Sequence, residues 1–245
     1  MRQIQENEIL VTGANGLLGK TMRRLMPGCV YTDSDTLDIL DYQAMEKFVA
    51  NTKIRAVFHM AAFTSPPLID KDPIKAMDVN IVGTANIVKL CSKYGLRVIY
   101  VCTDYVFKGD KGNYTEDDPM FPVNKYAWSK LGGECAVRMY DDSLIIRTTF
   151  GPDVFPYEKA FVDQWTSRDS VSVTAKKMAK LIKSGATGVV HVGGKRKTVF
   201  QYAKGLDEKK DIKELSIKEV NFKVPVDTSL NCDKFNKLLG KEGDY

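Results

Sequence analysis

Residues 8–19, Glu8-Ile9-Leu10-Val11-Thr12-Gly13-Ala14-Asn15-Gly16-Leu17-Leu18-Gly19, decide the fold. The run EILVT (8–12) is apolar and β-branched and reads as a strand. Residues 16–26 have helical spacing, with Leu17, Leu18, Met22 and Leu25 directed inward, and Pro27-Gly28 ends the helix. Three glycines, Gly13, Gly16 and Gly19, fall at the junction. Such a turn bends tightly, lets backbone approach a pyrophosphate and brings helix close to strand. The helix N-terminus then offers unpaired N–H groups and positive dipole to phosphates. A glycine trio by itself could be a turn with no ligand; the strand before it and the helix after it are the context that makes it a dinucleotide site.

Outward from this unit the pattern repeats. CVYT (29–32) is a second strand, and Asp41 can cap a helix on which Tyr42, Met45, Phe48 and Val49 share a face. AVFHMA (56–61), RVIYVCT (97–103) and SLIIRT (143–148) are nearly continuous apolar runs, as expected of parallel strands covered on both faces. Long helices are predicted over residues 73–94 and 125–140. Strand–helix alternation of this kind predicts an α/β fold, a Rossmann-like doubly wound parallel sheet with right-handed crossovers. After Gly151 the pattern loosens to a helix over 174–183, a strand over 188–194 (GVVHVGG) and a tail turning at Val224-Pro225. The expected organisation is an NAD(P)-binding Rossmann domain over 1–150. A mixed segment over 151–245 would return one strand to the sheet and form a small, reduced substrate-binding cap.

The 245 residues are 44% hydrophobic and 27% charged, without low-complexity tracts, which is a globular composition. The N-terminal MRQIQENEIL lacks the apolar run of a signal peptide, and no stretch approaches the roughly 20 apolar residues of a membrane span. Five scattered cysteines without CxxC, and only His59 and His191, predict no metal site and a reducing cytoplasm. The net charge of +5 gathers in the C-terminal third, at Lys176, Lys177, Lys180, Lys183, Lys195, Arg196, Lys197, Lys209 and Lys210. A field for a phosphorylated ligand and a solvated lysine-rich face are both compatible with it, and acidic residues after Asp207 favour the second. Basic and aromatic residues do not interleave, so no nucleic-acid partner is expected.

Two further features carry chemistry. Asp33 ends the second strand about 20 residues beyond Gly13, where an acid can accept ribose hydroxyls and would repel a 2′-phosphate, a lean towards NAD over NADP; a plain turn residue is the alternative. Tyr126 and Lys130 are spaced i, i+4, so a helix places phenol and ammonium on one face. A nearby cation stabilises phenolate and draws the phenol's pKa down from about 10. The tyrosine can then pass a proton to a carbonyl oxygen as a nicotinamide delivers hydride to carbon. The pair follows the strand ending in the hydroxyl residue Thr103. His59, on a buried strand, reads as core or as a support behind the site; Trp128 and Trp165 could stack on a base or sugar or simply pack. Arg147 could meet a diphosphate or form a structural ion pair.

Gly13-x-x-Gly16-x-x-Gly19, Ala61-Ala62, Thr103 and Tyr126/Lys130 together resemble an extended short-chain dehydrogenase/reductase. LDILD (37–41), HMAAFT (59–64), VNIVGTANIV (79–88), CTDYVFKG (102–109), YAWSKLGGE (126–134) and LIIRTTFG (144–151) resemble, in order, the dTDP-4-dehydrorhamnose reductase group. FVDQWTS (161–167) and GVVHVGG extend the likeness faintly. The resemblance implies NAD(P)H-dependent reduction of a keto group, at C4, on a nucleotide-linked deoxysugar. It implies Tyr126 as acid/base, Lys130 lowering its pKa and holding the nicotinamide ribose, and Thr103 bonding the substrate oxygen. Asn15, Leu17 and Leu18 would line the pyrophosphate turn, Asp38 and Ile39 the adenine side, and Ala61, Ala62 and Thr64 the ribose and nicotinamide path. Asp104, Tyr105 and Phe150 would face the sugar.

Related dehydratases carry Asp-Glu after the threonine; Tyr105 in the glutamate place favours reduction. Cys102 replaces a usual serine, Phe150 a frequent tryptophan and Ser65-Pro66-Pro67 a substrate-holding segment, and the chain is short between Gly151 and Phe161. Two other roles fit the resemblance: a nucleotide-sugar epimerase with tightly held NAD, and a non-catalytic partner like the regulatory subunit of methionine adenosyltransferase. The superfamily also implies a homodimer through the two long helices.

Overall fold

The computed structural model describes residues 4–240. Six parallel strands form the central sheet: β1 (Ile9–Thr12), β2 (Val30–Thr32), β3 (Ala56–His59), β4 (Arg97–Thr103), β5 (Ser143–Thr148) and β6 (Gly188–Val192), in the order β6-β5-β4-β3-β1-β2. Every residue of β1, β3, β4 and β5 is buried, which is why these segments are largely apolar instead of alternating, with their polar residues mostly at strand ends. The connections are helical: α1 (Leu17–Leu25), α2 (Tyr42–Ala50), α3 (Pro66–Lys71), α4 (Pro73–Met77), α5 (Thr84–Tyr94), α6 (Lys125–Val137), α7 (Val171–Lys183), α8 (Val199–Leu206) and α9 (Asp233–Leu239).

Two apolar layers sandwich the sheet. On one face Met45 and Val49 of α2, Ile87 and Leu90 of α5 and Leu131 of α6 pack on Leu10, Val57, Val98 and Ile145. On the other, Leu18 and Met22 of α1 and Ala175, Met178 and Leu181 of α7 pack on Val11, Phe58, Ile99 and Ile146. The strands alternate between the layers, as the period of two requires. The sheet is therefore a Rossmann-like doubly wound α/β structure, with the order of strands reversing between β1 and β3. No helix among the described residues is long and apolar enough to cross a membrane.

Several elements depart from the sequence reading. In α1 the inward side chains are Leu18 and Met22, followed by Met26 just beyond the helix. Leu17 and Leu25 are exposed: Leu17 opens the helix at the mouth of a cleft, and Leu25 is its last residue. The single helix expected over 73–94 is interrupted by a π-helical turn, Asp78–Gly83, between α4 and α5. The cause is Asn80, fully buried, whose Oδ1 accepts from the Phe63 N–H at 2.7 Å while Nδ2 donates to the Phe63 carbonyl at 2.9 Å and to Ser129 Oγ at 2.8 Å. The extra residue in the turn lets the amide reach sideways out of the helix. The strand expected over 56–61 stops at His59, where Met60 and Ala61 bend into the cleft. The helix read over 174–183 starts earlier, at Val171, where Ser170 caps it.

After β5 the chain forms short pairs: Phe150–Gly151 with Asp169–Ser170, Trp165–Thr166 with Lys197–Thr198, and Lys159–Phe161 with Lys213–Leu215. Phe155, Ala160, Val199, Tyr202, Ala203 and Ile212 make a small core of their own. The tail returns over the loop that follows β4. Asp227 N–H donates to the Gly109 carbonyl at 2.9 Å and Tyr114 N–H to the Ser229 carbonyl at 2.9 Å. Gly112, with φ of +69°, presses on Asp227 so closely that a Cβ there would stand 2.2 Å from its Oδ2. Trp165 is covered by the Arg196 guanidinium, 3.7 Å from the ring centroid, which accounts for that tryptophan by packing.

Candidate active site

A cleft of about 530 Å³ runs along the C-terminal ends of β1, β3, β4 and β5. At its β1 end lies the glycine turn. Gly13 adopts φ of +77°, and a Cβ on it would stand 2.7 Å from the Ala61 backbone nitrogen; a Cβ on Gly19 would stand 2.4 Å from the Gly13 carbonyl oxygen. Both positions therefore demand glycine for contacts within the chain. Gly16 is different: its Cβ would meet only the Gly13 oxygen, at 3.4 Å, so the space beside it is open to a ligand. Gly16 also begins α1 without any side-chain cap, leaving first-turn N–H groups to an incoming anion. This cradle fits a dinucleotide pyrophosphate. Leu17, Leu18, Ala61, Ala62 and Thr64 continue the same wall.

In the middle of the cleft, α6 and the end of β4 bring Thr103, Asp104, Tyr105, Tyr126 and Lys130 together. Asn124 caps α6 by accepting from the Ala127 N–H at 2.9 Å, which sets the start of the helix and places Tyr126 and Lys130 one turn apart on the cleft side. Thr103 lines the cleft with Tyr126 and donates to Asp104 Oδ1 at 3.1 Å; its oxygen also receives the Tyr105 N–H at 3.2 Å. Asp104 Oδ2 takes the Thr228 hydroxyl proton at 2.6 Å, joining the tail to this centre.

Burial pushes the Asp104 carboxyl up to about 6, against the hydrogen bond from Thr228 and the charge of Arg168. Burial, then the Cys102 thiol, push the Tyr126 phenol above its ordinary range, with the Thr103 hydrogen bond opposing them. Burial also lowers Lys130, to about 8. Its ammonium lies 4.3 Å from the Tyr100 ring centroid; after burial, Cys102, Thr103 and Asp104 act most on the phenol. With its pKa raised, the Tyr126 phenol holds its proton, which is the form an acid needs.

The remaining sequence candidates are placed otherwise. Phe150 lines the far end of the cleft. Asn15 and Asp33 do not line it; they hydrogen-bond to each other, and Asp33 Oδ1 takes the Asp35 N–H at 3.1 Å and the Thr36 hydroxyl at 3.3 Å. With its oxygens engaged in the 33–36 turn, Asp33 gives no ground for preferring NAD to NADP, and that lean is withdrawn. Asp38 caps its own turn through the Leu40 N–H at 2.9 Å, and Ile39 is buried against Gly83, whose Cβ would come within 2.5 Å of it. Neither lines the cleft. Arg147 is fully buried and paired with Glu134 at 2.7 Å, which leaves it no access to a diphosphate.

Sequence reading missed three features. Asn80, described above, holds the Phe63 backbone and Ser129, whose hydroxyl donates to the Tyr126 carbonyl at 2.7 Å. His59, read as core or as a support behind the site, proves to be a specific link between layers. Thr84 gives its hydroxyl proton to the Asn80 carbonyl at 2.8 Å, so it accepts from His59 Nε2 at 3.0 Å. Nδ1 then accepts the Thr12 hydroxyl proton at 2.7 Å, and the Thr12 oxygen receives the Ala61 N–H at 3.3 Å. Burial, then Lys130, push His59 down to about 3, which keeps this relay neutral. The third feature is Arg168, which lines the cleft beside Phe150. The HxAA spacing of His59 with Ala61-Ala62 was a usable signal for the second; nothing local marks Arg168.

Residues 7–180 match the RmlD substrate binding domain family. The chain is 32% identical over 145 residues to methionine adenosyltransferase 2 subunit beta of Xenopus laevis, covering 55% of this chain and 43% of that protein. It is 34% identical over 154 residues to dTDP-4-dehydrorhamnose reductase of Mycolicibacterium smegmatis, covering 60% and 46% respectively. The alignments thus span less than half the length of these curated relatives. Among solved structures, a hypothetical dTDP-4-dehydrorhamnose reductase from Sulfolobus tokodaii superposes with a TM-score of 0.86 at 28% identity, covering 96% of each chain. With the family match extending from β1 into α7, and so across both the glycine turn and the Thr103/Tyr126/Lys130 centre, the chain belongs to the RmlD substrate binding domain family.

Proposed function

We propose that this protein reduces a keto group, at C4, of a nucleotide-linked deoxysugar with a nicotinamide dinucleotide, NAD or NADP. The observation that carries the reading is that one cleft holds both the glycine cradle and the Thr103/Tyr126/Lys130 centre. The likeness to dTDP-4-dehydrorhamnose reductases supplies the substrate class.

The dinucleotide, when bound, supplies hydride. Gly13, Gly16 and Gly19 with the α1 N-terminus hold its pyrophosphate, and Leu17, Leu18, Ala61, Ala62 and Thr64 form the wall that leads to the centre. Tyr126 holds a proton at its phenolic oxygen and gives it to the carbonyl oxygen of the sugar as that oxygen gains charge. Thr103, in the same cleft as the phenol, meets the same oxygen. Lys130, one turn along α6 from Tyr126 and lining the same cleft, supplies positive charge to the centre where the phenolate remains. Tyr105 accepts a hydrogen bond from Gln164 Nε2 at 3.1 Å and has no carboxyl with which to eliminate water, so reduction is favoured over dehydration.

The test follows NADH and NADPH oxidation with a panel of nucleotide-linked 4-keto-6-deoxysugars, wild type beside Tyr126→Phe. Wild type is expected to turn over, and the variant to lose about 10²- to 10⁴-fold while binding cofactor as before. Cofactor binding without consumption on any sugar would defeat the reading. In that event the similarity to methionine adenosyltransferase 2 subunit beta moves a second reading forward, a non-catalytic partner subunit. Complex formation with a methionine adenosyltransferase catalytic subunit in size-exclusion chromatography is the measurement for it.

A further inference from the structure

We infer that Arg168 is the charged group of a second anion subsite, at the β5 end of the cleft, that takes the phosphoryl groups of a nucleoside diphosphate-linked substrate. The identity of the sugar rests on the reductase reading; the anion subsite does not.

The argument starts from two arginines. Arg147 is fully buried and fully engaged: Nε and Nη2 donate to Glu134 at 3.1 and 2.7 Å, and Nη1 donates to the Glu116 carbonyl at 3.2 Å. That is a satisfied structural cation. Arg168 lines the cleft instead, and its Nε is buried with no hydrogen-bond partner. Among the described residues no carboxylate forms an ion pair with it; its guanidinium carbon stands 5.9 Å from the Tyr202 ring centroid. The nearest acidic group in the cleft, Asp104, already receives protons from Thr103 and Thr228. A guanidinium donor withdrawn from water with no acceptor is costly unless a ligand completes it.

The backbone around Arg168 is built to hold it there. Its N–H donates to Thr166 Oγ1 at 3.1 Å, and its carbonyl accepts from Lys197 Nζ at 2.9 Å. The next residue, Asp169, pairs with Phe150 in a short ladder and binds the buried Lys177 Nζ at 2.8 Å. The side chain therefore projects into the cleft from a fixed point just beyond β5.

Position identifies the ligand. The glycine cradle occupies the β1 end, the Tyr126 centre lies at β4 and Arg168 at the β5 end, so the reacting carbon is flanked by one anion site on each side. The first is spoken for by the dinucleotide. A substrate carrying its own phosphates on the far side of the sugar would reach the second, and a planar guanidinium fork suits phosphoryl oxygens. A beside-lying hydroxyl, Thr148 Oγ1, is likewise buried without a partner and lines the cleft next to Thr103 in register, where a sugar hydroxyl would complete it.

The experiment is isothermal titration of thymidine and uridine diphosphates, and of the bare nucleosides, into protein saturated with NADP so that the cradle is filled. Wild type, Arg168→Gln, Arg168→Lys and Thr148→Val are compared, with melting temperature and NADP affinity as controls for folding. We expect at least one diphosphate to bind wild type and its nucleoside to bind far more weakly. Arg168→Gln should weaken the diphosphate about 10- to 100-fold, the size of a charge-assisted hydrogen bond, with NADP affinity unchanged. Arg168→Lys should recover part of that loss, and it carries the test if the glutamine variant fails to fold. Thr148→Val should melt no lower than wild type. Wild type that binds no diphosphate, or Arg168 variants that bind it as wild type does, would overturn the inference. Turnover with an unchanged KM in Arg168→Gln would sink this subsite and leave the reductase standing. Diphosphate binding through Arg168 without turnover would do the reverse.

Discussion

Glu134 lies one turn beyond Lys130 on α6 and is fully buried, as is Arg147 on β5. The carboxylate receives Arg147 through both oxygens and Arg138 Nε at 2.9 Å. Burial alone would raise the Glu134 carboxyl, but Arg147 outweighs it and holds the group below the usual range. Changing Glu134 to Gln keeps the volume and removes the charge, leaving Arg147 buried with only uncharged partners: one amide oxygen and the Glu116, Met120 and His191 contacts. Breaking a pair buried to this degree costs about 3–5 kcal/mol. For a chain of 245 residues, roughly 2 °C of melting temperature accompanies each kcal/mol, so Glu134→Gln should melt about 6–10 °C below wild type. The double variant Glu134→Leu/Arg147→Met removes both charges and fills the space with apolar atoms, so it should regain most of that loss. Calorimetric melting of wild type, single and double variants at pH 7 decides the matter. If Glu134→Gln melts within about 1 °C of wild type, or the double variant is worse than the single, the pair does not tie α6 to β5 in the way described.

Other consequences are equally open to measurement. Gly19→Ala would set a Cβ 2.4 Å from the Gly13 carbonyl oxygen and 2.6 Å from that of Ala14, so it should lower both melting temperature and dinucleotide affinity. Gly16→Ala, whose nearest contact is 3.4 Å, should lower affinity alone; equal melting penalties would contradict the assignment of open space at Gly16. Lys130 is depressed to about 8 by burial, so between about 8 and its ordinary value near 10.4 the unfolded chain binds more protons and stability rises with pH. Lys130→Met should erase that slope in melting curves. Asp104 is raised to about 6, so the native state binds the extra proton between about 4 and 6 and stability rises as pH falls through that window. Asp104→Asn should remove this contribution, and a wild-type minus variant difference that stays flat over that range would show the carboxyl to be unperturbed.

Where local sequence and tertiary environment impose the same demand, the fold was legible. β4 and β5 were read with their observed limits because a strand covered on both faces carries a nearly continuous apolar run, and RVIYVCT and SLIIRT each hold one. The α2 cap was legible for a similar reason: Asp41 accepts from the Ala44 N–H at 2.9 Å, a contact spanning three residues. The π-turn at Asp78–Gly83 was not, since what widens the helix is the Asn80 amide reaching Phe63, 17 residues away. Leu17 shows the same limit in reverse. Its position fits an inward stripe, yet it stands at the mouth of a ligand cleft, and a periodicity count has no means of telling core from site.

The two arginines carry that point into function. An arginine inside a run as apolar as SLIIRT must find an internal partner if the strand is buried, so a structural role for Arg147 follows from the same reasoning that makes β5 a central strand. The choice between ion pair and diphosphate contact was therefore decidable from burial, and Glu134 supplies the partner. Arg168 offers no such handle. It lies between two-residue strands whose pairings, Trp165–Thr166 with Lys197–Thr198 and Asp169–Ser170 with Phe150–Gly151, join segments that the helix and strand periods do not connect. Those pairings aim its side chain into the cleft. The half of the site proposed for the dinucleotide is written in contiguous residues because a turn and a helix N-terminus are local structures. The half proposed for the substrate is assembled by tertiary contacts, so in this chain the first is legible from the sequence and the second only from the fold.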